Sequence, residues 1–275
     1  GLGAWFDILA DAKNNSSGYK LVLTTHGGFF HTGKRGLLKW VYRTFLLPAR
    51  WGKADWIFFV SANDQANFEG LDFSRSSVLG NGVDVAPLLK LSLAKKDPHQ
   101  FIFVGRLSRN KRVDRLLEVF SHLVKRDSHF QLHIVGPDWE GIMNELREQT
   151  KQLGIGKNIV FHGTLSSEKV KKVYEKSLFF ISASEYEGFG ITAIEGMAAG
   201  SIPILQTIPT FRDFAGENRG LIVDFAQPEA AAESILTFTQ SMKSFSPIQR
   251  KCRDFSNQFE WERILKTMMT RLEGL

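Results

Sequence analysis

Glu187 and Glu195 bracket a stretch, Glu187-Gly188-Phe189-Gly190-Ile191-Thr192-Ala193-Ile194-Glu195, whose residue types suit an elongated, hydroxyl-rich anion. Glycines at 188 and 190 let backbone approach a ligand closely, and a helix opening behind them aims its first N–H groups at negative charge. Glu195, eight residues after Glu187, lies about one turn inside that helix and can reach back to the same crevice. Two acids beside a phosphate cradle fit a sugar nucleotide, anionic in the middle with hydroxyls at both ends. Taken alone, the spacing also fits a plain β–α turn with two solvated glutamates.

A second pair of candidates lies upstream. In Val104-Gly105-Arg106-Leu107-Ser108-Arg109-Asn110-Lys111 a strand gives way to a helix, and Arg106 and Lys111 flank the turn. Arginine forks onto phosphate oxygens and lysine supplies a point charge, so the pair can hold a diphosphate without a metal; otherwise they are solvated loop cations. Near the start, Thr25-His26-Gly27-Gly28-Phe29-Phe30-His31-Thr32-Gly33 sets His26 beside two glycines at a strand end. That setting favours a ligand-facing role for His26 over a structural one, while His31 is open between loop and site. The histidines at 99, 122, 129, 133 and 162 read as structural or surface.

These side chains need a scaffold that gathers strand ends. After Pro98, apolar runs at 100–104, 130–135, 158–161, 178–182, 202–205 and 220–223 alternate with helical segments near 111–126, 139–153, 166–177, 190–199, 209–215 and 228–243. That alternation predicts an α/β fold with a parallel, doubly wound sheet, whose ligands bind beyond the carboxyl ends of the strands. Earlier strands are expected at 20–25, 56–60 and 77–79, with a helix over 5–13 and a last amphipathic helix over 257–272. Residues 86–98, with prolines at 87 and 98, read as an irregular linker. The expected domains are therefore 1–85 and 99–256, followed by a C-terminal helical segment, 257–275.

Composition narrows the class. The 275 residues are 43% apolar and 23% charged, with no apolar run near the ~20 residues of a membrane span. A single cysteine excludes an internal disulfide and fits a reducing compartment. The net charge of +6 equals the six basic residues of 34–53 (Lys34, Arg35, Lys39, Arg43, Arg50, Lys53), a segment without acids. The remainder is neutral, which argues against nucleic acid as a partner. Segment 34–53 reads as an amphipathic helix, either lying on an anionic membrane or packed on a core with a solvated basic face. No G-x-G-x-x-G, P-loop, paired-aspartate metal clamp, zinc spacing or G-x-S-x-G elbow is present, so no cofactor and no metal are expected.

Together Asn81-Gly82-Val83-Asp84, Val104-Gly105-Arg106-Leu107 with Lys111, His162-Gly163 and Glu187 through Glu195 resemble the retaining GT-B glycosyltransferases of the glycosyltransferase 4 group. The Thr25–Thr32 stretch is similar to mannosyltransferases that extend polyprenol-diphosphate-linked oligosaccharides in bacterial exopolysaccharide assembly. The resemblance implies two Rossmann-like domains across a cleft, with the last helix crossing back to the first domain. It places Arg106 and Lys111 on the diphosphate of a nucleoside-diphosphate sugar such as GDP-mannose, Glu195 on the ribose and Glu187 on the transferring sugar. It further sets the backbone of Phe189, Gly190, Ile191 and Thr192 along sugar and phosphate, Leu165 near the base with Gly163 among the donor-binding residues, and His26 by the sugar on the acceptor side. Transfer would retain the α configuration by front-face attack, the leaving diphosphate accepting the acceptor's proton.

The N-terminal part departs from the pattern. Only about 85 residues precede the linker, fewer than the roughly 100 or more of an ordinary domain, and the family's opening strand and Gly-rich loop have no counterpart. A Gly rather than Met at position 1 suggests a processed or excerpted chain. The expectation is an incomplete N-terminal domain, a cytoplasmic protein peripheral to the membrane, and a partner chain where the missing half comes from elsewhere. The alternative function is a nucleotide-sugar-binding subunit inactive by itself.

Overall fold

A computed structural model describes residues 20–26, 40, 44–45, 47–94, 96–216, 218–241 and 244–274. The expected helix over 5–13, the 27–33 loop with His31, and most of the basic segment's charged side chains lie outside the described residues. Two units divide the chain, the second being Val83–Glu260 and the first holding the described residues before it together with the last helix.

In the first unit, β1 (Val22–Thr24), β2 (Trp56–Phe59) and β3 (Ser76–Val78) pair in parallel in the order β1-β2-β3. Helix α1 (Leu47–Trp51) and α2 (Ala62–Ala66) follow β1 and β2. Leu47, Trp51, Ile57, Phe59 and Phe68 form its core. The last helix, Trp261–Leu272, belongs to this unit, and the Arg271 guanidinium lies 4.9 Å from the Trp56 ring centroid.

The second unit carries the continuous alternation. Residues 86–98 are more regular than expected: Pro87 sits in the first turn of α3 (Ala86–Leu89), where it needs no N–H partner, and β4 (Asp97–Val104) already includes Pro98. Then come α4 (Val113–Arg126), β5 (Gln131–Val135), α5 (Met143–Gln152), β6 (Ile159–Gly163), α6 (Ser167–Lys176), β7 (Ser177–Ser182) and α7 (Ile191–Ala198). The chain continues through β8 (Ile202–Gln206), α8 (Pro209–Ala215), β9 (Leu221–Val223), α9 (Pro228–Gln240) and α10 (Ser246–Ser256). Helix α10 was not expected, although Pro247 at its start and apolar Ile248, Cys252 and Phe255 at helical spacing signal it.

All six strands are parallel, ordered β6-β5-β4-β7-β8-β9. The chain therefore builds outward from β4 in one direction, returns, and builds outward from β7 in the other. β4 and β7 lie side by side at this switch point, and in open α/β sheets ligands bind beyond the carboxyl ends of the strands there. Beneath those ends, β7 is buried at all six positions, and Phe101 stacks 4.9 Å from Phe179 in a core too tightly filled to let either strand slide. At the opposite edge, half-buried Lys96 donates to the Tyr174 and Ser177 carbonyls (2.6 and 3.0 Å) and to Ser201 Oγ at 3.2 Å.

Gln100, His133 and His162 form a ladder across β4, β5 and β6, with His133 Nδ1 3.0 Å from His162 Nε2 and His133 Nε2 2.8 Å from Gln100 Oε1. Burial, then the charge of His162, pushes His133 down to about 4, and burial also lowers His162. The unfolded chain protonates these rings near pH 6.5 while the fold resists. Their contribution is thus complete above about pH 6.5 and is lost as pH falls toward 4. Because the rings are partly solvated, ~1–2 kcal/mol is expected. Urea midpoints at pH 7.5 and 5 should drop less in His133→Asn than in the parent; an equal drop would clear the ladder of this role.

Candidate functional site

The β4 and β5 loops leave the sheet as one ribbon. Gly105 N donates to Val135 O (2.9 Å), Leu107 N to Pro137 O (2.8 Å) and Trp139 N to Leu107 O (3.1 Å). Gly136 makes this possible: its φ is +144°, and a Cβ there would stand 1.9 Å from Gly105 O. Gly136 N also donates to Gly163 O at 2.9 Å, which ties in the end of β6, with half-buried Leu165 just beyond. On this ribbon Arg106 is exposed, its guanidinium 5.0 Å from the Trp139 ring centroid. The expected helix over 139–153 starts later, at Met143, because Asp138 accepts from Ile142 N (2.8 Å) and Met143 N (3.2 Å) and fixes the loop before it.

The β4 ribbon is stitched to the β7 loop. Glu185 N donates to Asn110 O at 3.0 Å, and Asn110 Nδ2 to Tyr186 O at 3.0 Å. Arg109–Lys111 forms a 3-10 turn, and Arg112 takes a left-handed conformation (φ 47°) before α4, so no continuous helix runs from 111. That kink aims the Arg112 guanidinium at Asp114 and Glu185, and Arg115 joins Glu185 at 3.1 Å. Hydrogen bonding to Asp114 raises Arg112, while Asp114 is held below the ordinary carboxylate range by Arg112 against the opposing effect of burial. Arg112 and Arg115 thereby hold the two loops together.

This clamp brings two of the sequence candidates into contact. Lys111 Nζ lies 2.6 Å from Glu187 Oε1, with side chains 16% and 13% exposed. Thr210 Oγ1 donates to the Glu187 carbonyl at 2.8 Å, extending the rim to α8. Beyond half-buried Gly188, Phe189 turns inward against Phe214 and Phe259. Gly190, at φ 91°, makes the reversal into α7, whose first residues are exposed Ile191 and half-buried Thr192.

Glu195 is half-buried on α7, its carboxyl pushed up to about 7 by burial and then by the charge of Asp84. Burial and Glu195 together raise Tyr174, whose hydroxyl reaches Thr192 O at 3.4 Å. Glu195 thus stands with Asp84 and Tyr174, whereas Glu187 stands with Lys111 and Arg106 with Trp139. His26 is exposed in the first unit just after β1; Thr25 before it donates its hydroxyl to fully buried Asp64 and its N–H to Phe58 O (2.9 Å). Sequence reasoning passed over Trp139, Asn110, Glu185 and Asp64. Only Trp139 carried a local signal, as a large aromatic in the Gly136–Gly141 turn after a strand.

Chemically, the rim offers a cation already paired to a half-buried acid, an exposed guanidinium and a helix N-terminus: a place for a bulky anion bearing hydroxyls. Among the described residues, no helix is long and apolar enough to cross a membrane. The chain is 30% identical over 96% of its length to the GDP-mannose:cellobiosyl-diphosphopolyprenol alpha-mannosyltransferase of Xanthomonas oryzae, covering 70% of that protein. Its fold matches the Anabaena protein HepE, crystallised with UDP and glucose, with TM-score 0.80 and 18% identity over 98% of this chain and 75% of the other. A glycosyltransferase from Rickettsia africae matches with TM-score 0.74 and 21% identity over 98% and 80%. The family model described as glycosyl transferases group 1 matches residues 88–255, the whole stretch that carries Arg106, Lys111, Glu187 and Glu195. The chain belongs to that family: it is a glycosyl transferase of group 1 with the α/β GT-B fold.

Proposed function

We propose that the chain transfers mannose from GDP-mannose, with retention of the α configuration, to a glycan carried on polyprenol diphosphate. The Xanthomonas relative is named for that donor and for a cellobiosyl-diphosphopolyprenol acceptor. The observation that carries the reading is the Lys111–Glu187 pair beyond the strand ends at the switch point. Lys111 and Arg106 would take the diphosphate and stabilise the charge that grows on it as the glycosidic bond breaks. Glu187, held by Lys111, would accept from hydroxyls of the transferred sugar, and Glu195 from the ribose. N–H groups at Ile191 and Thr192 would face the phosphates, and Gly163 and Leu165 the base. With the diphosphate oxygen taking the acceptor's proton, neither glutamate need act as a nucleophile.

Being a transferase family member favours this reading over a binding subunit without turnover. Exposed His26, just after β1, would lie by the sugar on the acceptor side, as the resemblance to the family implies. We further propose that the 34–53 segment meets anionic lipid on the cytoplasmic face of the membrane, since its charge is one-signed; sedimentation with anionic but not neutral liposomes is the expected outcome. For the donor, melting temperatures with GDP-mannose, UDP-glucose and UDP-N-acetylglucosamine give the test. The largest rise is expected with GDP-mannose, and no rise with it would refute the mannosyl reading.

A further inference from the structure

Four arginines cluster around the turn after β4, and three of them are spoken for by acids. Arg109 reaches Glu145 (3.2 Å), Arg112 holds Asp114 and Glu185, and Arg115 holds Glu185. Arg106 is held differently, by the ring of Trp139 at 5.0 Å. An aromatic face attracts the cation without supplying an oxygen that competes for its N–H donors. Trp139 is 64% exposed, so its indole is not there to fill the core. Its backbone is nonetheless fixed: Trp139 N and Glu140 N both donate to Leu107 O, and the Glu140 carboxylate accepts from Arg109 N at 2.9 Å.

We propose that Trp139 is a positioning residue for Arg106, holding its guanidinium at the rim with its N–H donors free for the donor diphosphate. Left to itself, an exposed arginine samples many rotamers, and ordering it on binding costs affinity; the ring settles that order beforehand. This inference rests on the reading of the rim as a donor diphosphate site.

Calorimetry on the full chain with GDP and with guanosine tests it. Trp139→Ala is expected to weaken GDP binding about 3- to 10-fold, the range of a cation–π contact, and guanosine binding less than about 2-fold. Trp139→Phe should recover most of the loss, and in an Arg106→Ala background Trp139→Ala should add less than about 2-fold, because the two residues act as one. An unchanged melting temperature in Trp139→Ala would keep the comparison free of misfolding. If Arg106→Ala weakens GDP but Trp139→Ala does not, or if the two losses multiply, the positioning role is overturned while the donor site stands. If Arg106→Ala itself binds GDP as the parent does, both fall.

Discussion

Lys111→Ala is expected to weaken donor binding by ~1.5–3 kcal/mol, roughly 10- to 150-fold, the range for a hydrogen bond to a charged group. Two effects add. The diphosphate loses an ammonium, and Glu187 loses the partner that now sits 2.6 Å from its carboxylate. An acid only 13% exposed would then face an incoming dianion with little water to screen it. The double variant Lys111→Ala/Glu187→Gln should therefore bind better than Lys111→Ala alone. Unchanged affinity in the single variant would remove Lys111 from the donor site. A double variant that binds worse would mean that the contact of Glu187 with the sugar hydroxyls outweighs its repulsion of the phosphates.

Glu195→Gln should separate stability from binding. The Glu195 carboxyl titrates near 7 in the fold, against an ordinary value of 4.5, so ionising it works against the folded state. A raised carboxyl pKa is linked to stability with the opposite sign to the common depressed case. Parent stability falls as pH rises from about 4.5 to 7, and the penalty is complete above that. Glutamine escapes it, so Glu195→Gln should be more stable than the parent by ~2–3 kcal/mol at pH 8 and about equal at pH 4.5. Donor binding should move the other way. Ribose hydroxyls donate best to the ionised acid, so parent affinity should fall as pH drops below 7, and the variant should bind more weakly at pH 8 with a flatter pH profile. Urea melts and donor titrations across pH 5–8.5 decide it. A variant no more stable at pH 8, or one that binds donor as tightly as the parent, would contradict the role given to Glu195. Such a trade is common where a site is kept for its ligand at the expense of the empty fold.

The Ser177–Ser182 strand, the glycine turn and α7 were legible because an unbroken apolar run, a reversal and a helical segment follow one another within about 20 residues, a span in which local chemistry decides. Alternation likewise gave the parallel sheet. What alternation cannot give is the order of strands, and that order sets β4 beside β7 and lets Lys111 meet Glu187. Of the two cations and two acids expected to converge, Lys111 and Glu187 are in direct contact. Arg106 and Glu195 instead took partners, Trp139 and Asp84, that no spacing rule couples to them. The left-handed Arg112 was hidden for a similar reason: a non-glycine residue at positive φ costs energy locally and is held there by Asp114 and Glu185, the latter 73 residues away. Helix α10 had its signals, but its polar residues outnumber the apolar ones that face the fold.

Hydrogen–deuterium exchange of the full chain with and without saturating GDP-mannose examines the rim itself. Slower exchange is predicted over Gly105–Arg112 and over Ala183–Thr192, including the first amides of α7, with the amino edge around Lys96 unaffected. Protection confined to other segments, with those two loops exchanging as they do in the empty protein, would contradict the placement of the donor at the carboxyl edge of the second sheet.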